Sequence, residues 1–325
     1  MIAKKKDGKF GEIAVLLTED EEIEIPMFET SFSPVTPESA ETLLSAYPAF
    51  GSGDCNLTAV SLISRAAARK ASFAVIEGIP VVRWHPTGEE AAYAVPACAE
   101  KMKPVLEHLS EEARLRCEAL YITGVVDDLV ANLTAHLPAV SFRLESSNDY
   151  WDYIYDREAF VTLAGRKLNG KRNFARRFRA AHPQATLEPL TPAHVPAVRD
   201  FLTGWYAEHD SNAGLTEECE AISIVLANLT ALNVTGRVLT DAGRVLGFTY
   251  GAECAPGLFA VHIEKAARDV AGAYPALAQE FAKSLPEHIT ELNREEDLGI
   301  PGLRKAKTDW AVKRFIRKCR ICVDL

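Results

Sequence analysis

A four-residue frame occurs twice in this chain, and it constrains the fold more than any other feature. Pro34-Val35-Thr36-Pro37 and Pro189-Leu190-Thr191-Pro192 lie 155 positions apart. In each, a Thr suited to capping a helix precedes a Pro suited to the first helical position, where the missing N–H costs nothing. Both frames open apolar segments that end in aromatics: Leu43, Leu44 and Tyr47 in the first, Val198, Phe201, Leu202, Trp205 and Tyr206 in the second. Each is followed by a second helical stretch and a pair of strands around a turn, at Glu77-Gly78 and at Ala242-Gly243. A repeat of this length implies a duplicated unit.

The order of predicted elements after the second restart is helix, helix, hairpin, strand, helix, strand, helix, strand. That order gives an α/β class, and the hairpins make each sheet mixed. The expected division is an N-terminal domain over 1–183 and a C-terminal domain over 184–325, tightly packed because no low-complexity linker separates them. Residues 1–30 read as a hairpin-like lead, and 127–137 as a helix. The stretch 303–318 reads as a basic segment before a closing strand.

Of 325 residues, 48% are hydrophobic, enough for two cores. A net charge of −9 excludes a general polyanion binder. No run of 18 apolar residues is present, and the first residues lack a signal-peptide core. Seven scattered cysteines, an odd number, read as reduced thiols in a cytoplasmic protein. Cys319-Arg-Ile-Cys322 has metal-like spacing but lacks a second pair, and reads as structural thiols.

Four places carry candidate chemistry. The strand Leu258-Phe-Ala-Val-His-Ile-Glu-Lys265 alternates, so His262 and Glu264 share one face, a spacing that suits a proton acceptor beside its orienting carboxylate. The turn after it, with Arg268, Gly272 and Ala273, leads into a helix whose first N–H groups can meet an anion. The stretch Asn293-Arg-Glu-Glu-Asp-Leu-Gly-Ile-Pro-Gly-Leu-Arg-Lys-Ala-Lys307 concentrates acids, bases and two glycines. Its tight turn is expected to bring Asp297 near Lys307. Finally, residues 166–179 hold seven Lys and Arg and no acid. At 100° per residue Arg172, Arg176 and Arg179 form one stripe, opposite Phe174, Phe178 and Ala181, and suit a phosphate-bearing ligand. No HExxH, Walker, GxGxxG or GxSxG motif occurs.

Several phrases together resemble the bacterial family related to the C-terminal domain of phosphatidylglycerol lysyltransferase. They are Asp152-Tyr-Ile-Tyr155, Leu163-Ala-Gly-Arg-Lys-Leu-Asn-Gly-Lys-Arg-Asn173, Val261-His-Ile-Glu-Lys265, Gly272-Ala-Tyr274 with Gln279-Glu-Phe281, and the 293–307 stretch. The resemblance runs from about residue 30 to the end. It implies two fused domains of the GCN5-related N-acetyltransferase type. It also implies transfer of an acyl or aminoacyl group to an amine or hydroxyl acceptor, with aminoacyl-tRNA or acyl-CoA as the phosphate-bearing donor. The acceptor is then a small molecule, a lipid headgroup or a peptide. The end of the 293–307 stretch is also similar to the basic phrase of Fem-type aminoacyltransferases, so Lys307 is expected to stabilise developing negative charge, assisted by Arg304. Asn293 and Asp297 join the expected substrate-binding set. In the coenzyme A pyrophosphate loop Ala271 stands where the first Gly belongs. Three readings stay open: the aminoacyl or acyl transferase, an acyl-CoA N-acyltransferase, and a non-catalytic binding module of the same fold.

Overall fold

A computed structural model describes residues 30–47, 52–85, 90–96, 102–126, 130, 141–208 and 213–324. All but the last residue of the expected lead over 1–30, and all but residue 130 of the expected helix at 127–137, lie outside the described residues. The first half runs β1 (Ser33–Pro34), α1 (Ala40–Ala46), α2 (Ala59–Ser64), β2 (Ser72–Ile76), β3 (Ile79–Trp84), β4 (Ala92–Ala94), α3 (Met102–Arg116), β5 (Leu120–Val126) and β6 (Ser141–Glu145). Next come β7 (Asp152–Asp156), α4 (Arg157–Thr162) and α5 (Asn169–Ala181). The pattern then restarts with β8 (Thr186–Pro189), α6 (Val195–Ala207), α7 (Ala213–Ala227), β9 (Thr235–Asp241), β10 (Arg244–Ala255) and β11 (Leu258–Ala266). It continues through α8 (Ala273–Ser284), β12 (Glu291–Asn293), α9 (Pro301–Thr308), β13 (Val312–Ile316) and β14 (Lys318–Asp324).

The two frames do the same structural work. Pro34 ends β1 and Pro189 ends β8. Each Thr then closes a capping box, its backbone N–H donating to Ser39 Oγ at 3.2 Å or to His194 Nδ1 at 3.3 Å. Both predicted hairpin turns form, because Glu77, Gly78, Ala242 and Gly243 all take the positive φ that a tight two-residue hairpin needs. The basic segment holds the helix that the element order implies: Pro301 at the first helical position starts α9, so 301–308 is helical.

Two mixed seven-stranded sheets result, ordered β1-β2-β3-β4-β5-β14-β6 and β8-β9-β10-β11-β12-β7-β13. Position by position they have the same connectivity. In each, the fourth and fifth strands are parallel, joined by α3 or α8, as parallel neighbours require. The sixth strand is antiparallel to both its neighbours. That sixth strand is exchanged: β7 of the first half enters the second sheet, and β14, the last strand, returns to the first. The change of sheet therefore does not coincide with the 183/184 division read from the sequence. The segment 152–181 belongs to the second sheet, where α4 and α5 pack on α8 through Phe160, Leu163, Ala175, Phe178, Leu277 and Phe281.

The helical stripe on α5 also differs from expectation. Ala175 and Phe178 are buried, whereas Phe174 and Ala181 are exposed, because α8 meets the helix from the side of 175 and 178. The halves share a core. Leu43, Leu62, Ile63 and Val82 from the first pack in one cluster with Val198, Ile222, Val225, Phe248 and Tyr250 from the second. Each such side chain contributes about 1.5–3 kcal/mol on burial, which binds the halves into one body.

Candidate functional site

Strand β11 runs down the middle of the second sheet. Its pairing with β12 covers only Leu258–Ala260 against Glu291–Asn293. Beyond those residues the two parallel strands part, and His262 and Glu264 stand where the sheet opens. Ligands of α/β sheets bind in crevices of this kind, beyond the carboxyl ends of parallel strands. Here the opening is a cleft of about 1680 Å³ lined by both halves of the chain. Its described lining carries nine Lys or Arg and seven Asp or Glu, against −9 for the whole chain. The wall is therefore positively biased in an acidic protein.

His262 is held from both sides. Its Nδ1 lies 2.8 Å from Glu295 Oε1 and its Nε2 lies 2.8 Å from Thr58 Oγ1. Thr58 caps α2, its Oγ1 accepting the Ser61 N–H at 3.0 Å, so its own proton is directed to Nε2. An ionised Glu295 accepts only, which puts the ring proton on Nδ1. The imidazole is 7% exposed. Glu295 reaches the cleft because the backbone turns sharply after β12. Its φ is +60°, uncommon for a residue with a side chain, and its N–H donates to Asn293 Oδ1 at 2.8 Å.

The expected pairing of His262 with Glu264 is not formed. The two share a face of β11, but the carboxylate partner of His262 is Glu295. Glu264 instead accepts from Arg294 Nη2 at 2.7 Å. Burial holds the Glu264 carboxyl above its ordinary range, opposed by the charges of Arg294, Lys171 and Lys307. Arg294 lies over the rings of Phe160 and Trp310, at 5.5 and 5.3 Å. Lys171 stands 5.1 Å over Trp310, and burial lowers its pKa. Lys307 lines the same cleft as His262. Its ammonium donates to the Arg294 carbonyl, and burial lowers its pKa as well. Lys171, Arg294 and Lys307 thus gather around one carboxylate.

Other expected residues fall outside the cleft lining. The ion-pair partner of Asp297 is Arg304, not Lys307. Asp297 is fully buried and accepts from Tyr153 Oη at 2.5 Å, Gly299 N at 2.9 Å, and Arg304 Nε and Nη2 at 2.8 Å. The Arg304 hydrogen bonds lead in pulling its carboxyl down to about 2. Arg304 also pairs with Asp149 at 2.6 Å, so its guanidinium clasps Asp297 and Asp149 together. Asn293 donates to Gly53 O and Asp152 Oδ2, both at 2.8 Å, inside the core.

On α5, only Lys171 of the basic run lines the cleft. Arg172 donates to Leu163 O at 2.6 Å and Asn169 Oδ1 at 2.8 Å. Arg179 holds Gln279 and, at 2.7 Å, Glu280 on α8. Arg176 is exposed on the same helix, outside the lining. The stripe faces away because Lys171, one position earlier, already points inward.

In the turn before α8, Arg268 lines the cleft, but Gly272 and Ala273 do not. Gly272 has φ +88°, and a Cβ there would collide with the Phe174 carbonyl. Its role is to let α5 approach. Cys319 donates to Val125 O at 3.3 Å and Cys322 accepts from Arg143 at 3.2 Å, so both thiols serve β14 and its neighbours.

In the wall of the cleft, Lys318 is surrounded by Asp152 at 2.8 Å, Glu296 at 3.1 Å and Asp54 at 3.2 Å. Asp54, Cys55 and Asp152 are close enough together to ligate a metal, but the Lys318 ammonium already supplies the cation there. Burial raises the Glu296 carboxyl, yet the Lys318 charge and the Cys55 hydrogen bond outweigh it and hold the group below its usual range. Sequence reasoning singled out neither this cluster nor Thr58, Lys171, Glu295 or Arg294. Glu295 and Arg294 lay within the 293–307 stretch, but nothing in their spacing set them above Asn293 and Asp297.

No helix among the described residues is long and apolar enough to cross a membrane. No curated protein is a significant match in sequence. Among solved structures, a conserved protein of unknown function from Bacteroides thetaiotaomicron VPI-5482 is 33% identical, with TM-score 0.83 over 91% of this chain and 100% of that one. The C-terminal domain of a putative lysylphosphatidylglycerol synthetase from Agrobacterium fabrum is 14% identical, with TM-score 0.59 over 89% of this chain and 91% of that one. The L-PGS structure from Bacillus licheniformis is 12% identical, with TM-score 0.61 over 90% of this chain and 92% of that one. The family model for the C-terminal region of phosphatidylglycerol lysyltransferase matches residues 58–319, and the chain belongs to that family.

Proposed function

We propose that the cleft catalyses aminoacyl transfer from aminoacyl-tRNA to an amine or hydroxyl acceptor. The observation that supports it most is the meeting in one cleft of the His262–Glu295 pair and the half-buried ammonium of Lys307. In this reading the acceptor's N or O attacks the ester carbonyl of the donor. Glu295, steadied by the Nδ1–H of His262, takes the acceptor's proton. Lys307 stabilises the oxyanion of the tetrahedral intermediate. The C–O bond to the terminal ribose then breaks, and the proton returns to the leaving oxygen. With both ring nitrogens engaged, His262 orients Glu295 and holds its charge.

The cations Lys171, Arg294 and Lys307 suit the phosphates of the donor, a task the sequence pointed toward Arg172, Arg176 and Arg179. The two sheets of equal connectivity fit a pair of tandem GCN5-related N-acetyltransferase-like units with exchanged sixth strands. The donor puts the reaction in the cytoplasm, where aminoacyl-tRNA is made. The acyl-CoA reading is weaker, since Gly272 and Ala273 serve helix packing.

The test is transfer from radiolabelled lysyl-tRNA, and from a panel of other aminoacyl-tRNAs, to amine and hydroxyl acceptors, together with calorimetric titration of acetyl-CoA. Glu295→Gln and Lys307→Met are expected to slow transfer by about 10²–10⁴-fold. Tight acetyl-CoA binding without tRNA-dependent turnover would replace this reading with the acyl-CoA one. Full activity in both variants would leave a binding module.

A further inference from the structure

The N-terminal half presents side chains to the cleft that the transfer chemistry above does not use. Arg69 lies in the turn after α2, and its guanidinium stacks over Trp84 at the end of β3, 4.9 Å from the ring centroid. Its Nη2 donates to Asn56 Oδ1 at 2.8 Å. Asn56 is itself fixed, its Nδ2 donating to Glu296 Oε1 at 3.4 Å and its backbone N–H to Asp54 Oδ1 at 2.9 Å. The guanidinium is thus held in one orientation from one side.

Its other nitrogen, Nη1, is buried and has no hydrogen-bond partner among the described residues. The indole Nε1 of Trp84 is in the same condition. Both residues line the cleft. Guanidinium and indole N–H groups only donate, and buried donors without acceptors are rare in folded proteins. The neighbouring Arg65, one helical turn earlier, pairs with Glu217 at 3.2 Å. Among the described residues no carboxylate pairs with Arg69, and burial together with the Arg65 charge disfavours its protonated form. A fixed cation stacked over the ring of a neutral donor in one cleft, neither with an acceptor for these N–H groups among the described residues, matches an oxygen-bearing anion.

We infer that Arg69 Nη1 and Trp84 Nε1 form an oxyanion subsite that receives a carboxylate or phosphate group of a bound ligand. The N-terminal half is then a ligand-binding unit as well as a scaffold for the second sheet. The inference stands apart from the transfer reading, since binding without turnover tests it.

The test is calorimetric titration of the full chain with sodium acetate, inorganic phosphate and pyrophosphate at constant ionic strength. Trp84→Phe keeps an aromatic ring beneath Arg69 and removes one N–H. It is expected to weaken anion binding by about tenfold, and Arg69→Met to abolish it, while Arg244→Gln at the exposed pair with Asp269 binds as the parent chain does. Preference for acetate identifies a carboxylate ligand, and preference for the phosphates a phosphate ligand. The inference is overturned if the parent chain binds none of the three anions, or if Trp84→Phe binds them undiminished. Should Arg69→Met fail to fold, Trp84→Phe alone decides.

Discussion

The ammonium of Lys318 lies 2.8 Å from Oδ1 of Asp152, and these are the first residues of the two strands that change sheets. Each half sends its sixth strand into the other, and the two strands set out from one buried ion pair. Asp54 and Glu296 complete the cluster, and Glu296 also supports Asn56 at the edge of the cleft. The connection that joins the halves is therefore continuous with the wall of the candidate site.

Lys318→Met is expected to be severe. It leaves Asp54, Asp152 and Glu296 buried without their cation, and breaking a buried pair from one side costs about 3–5 kcal/mol. Urea unfolding of the variant at neutral pH measures the loss. A change below about 1 kcal/mol would show that the cluster does not hold the exchanged strands.

Stability should depend on Asp297 at low pH. Its carboxyl titrates near 2 in the folded chain, below the ordinary 3.8. A depressed carboxylate stabilises above its unfolded value, and the contribution fades as pH falls through the folded value. The parent chain should thus exceed Asp297→Asn by about 2 kcal/mol at pH 6, with the gap closing between about pH 4 and 2. Paired denaturant titrations across that range check it; a constant gap refutes it.

Thr58 links a helix cap to the imidazole. Thr58→Ser keeps the hydroxyl and should keep activity. Thr58→Val removes both hydrogen bonds of Oγ1 and should lower stability by about 1–2 kcal/mol. It should also lower any activity that depends on His262, because the ring then loses one of the two hydrogen bonds that hold it. Thermal melts and turnover measured well below the melting temperature separate the two effects.

Two glycines should respond oppositely to alanine. At Gly272 a methyl group collides with the Phe174 carbonyl in a left-handed backbone, so Gly272→Ala should destabilise by at least about 2 kcal/mol. Gly170 lies within α5, and a methyl group on its Cα would meet nothing within 4 Å, so Gly170→Ala should stabilise by about 0.5–1 kcal/mol. Melting temperatures of both variants test the pair.

Much of the architecture is legible in the residues alone. The Thr-Pro frames, the turns at Glu77-Gly78 and Ala242-Gly243, and the alternation of β11 each depend on local backbone preferences, which act within a few residues. They fix the capped helix starts, the hairpins and the face that carries His262 and Glu264. Local rules do not reach between elements. Which carboxylate meets His262 depends on a left-handed turn at Glu295 and on Thr58, 204 positions away in the chain. Which cation of the basic helix enters the cleft depends on α8 covering Ala175 and Phe178, which leaves Lys171 inside and Arg172, Arg176 and Arg179 outside. The strand exchange leaves no trace in periodicity, since β7 is buried over its first four residues and carries no alternation that names its sheet. Burial of Asp152 against Lys318 is possible only when strands far apart in sequence are brought together, and that step belongs to the tertiary structure.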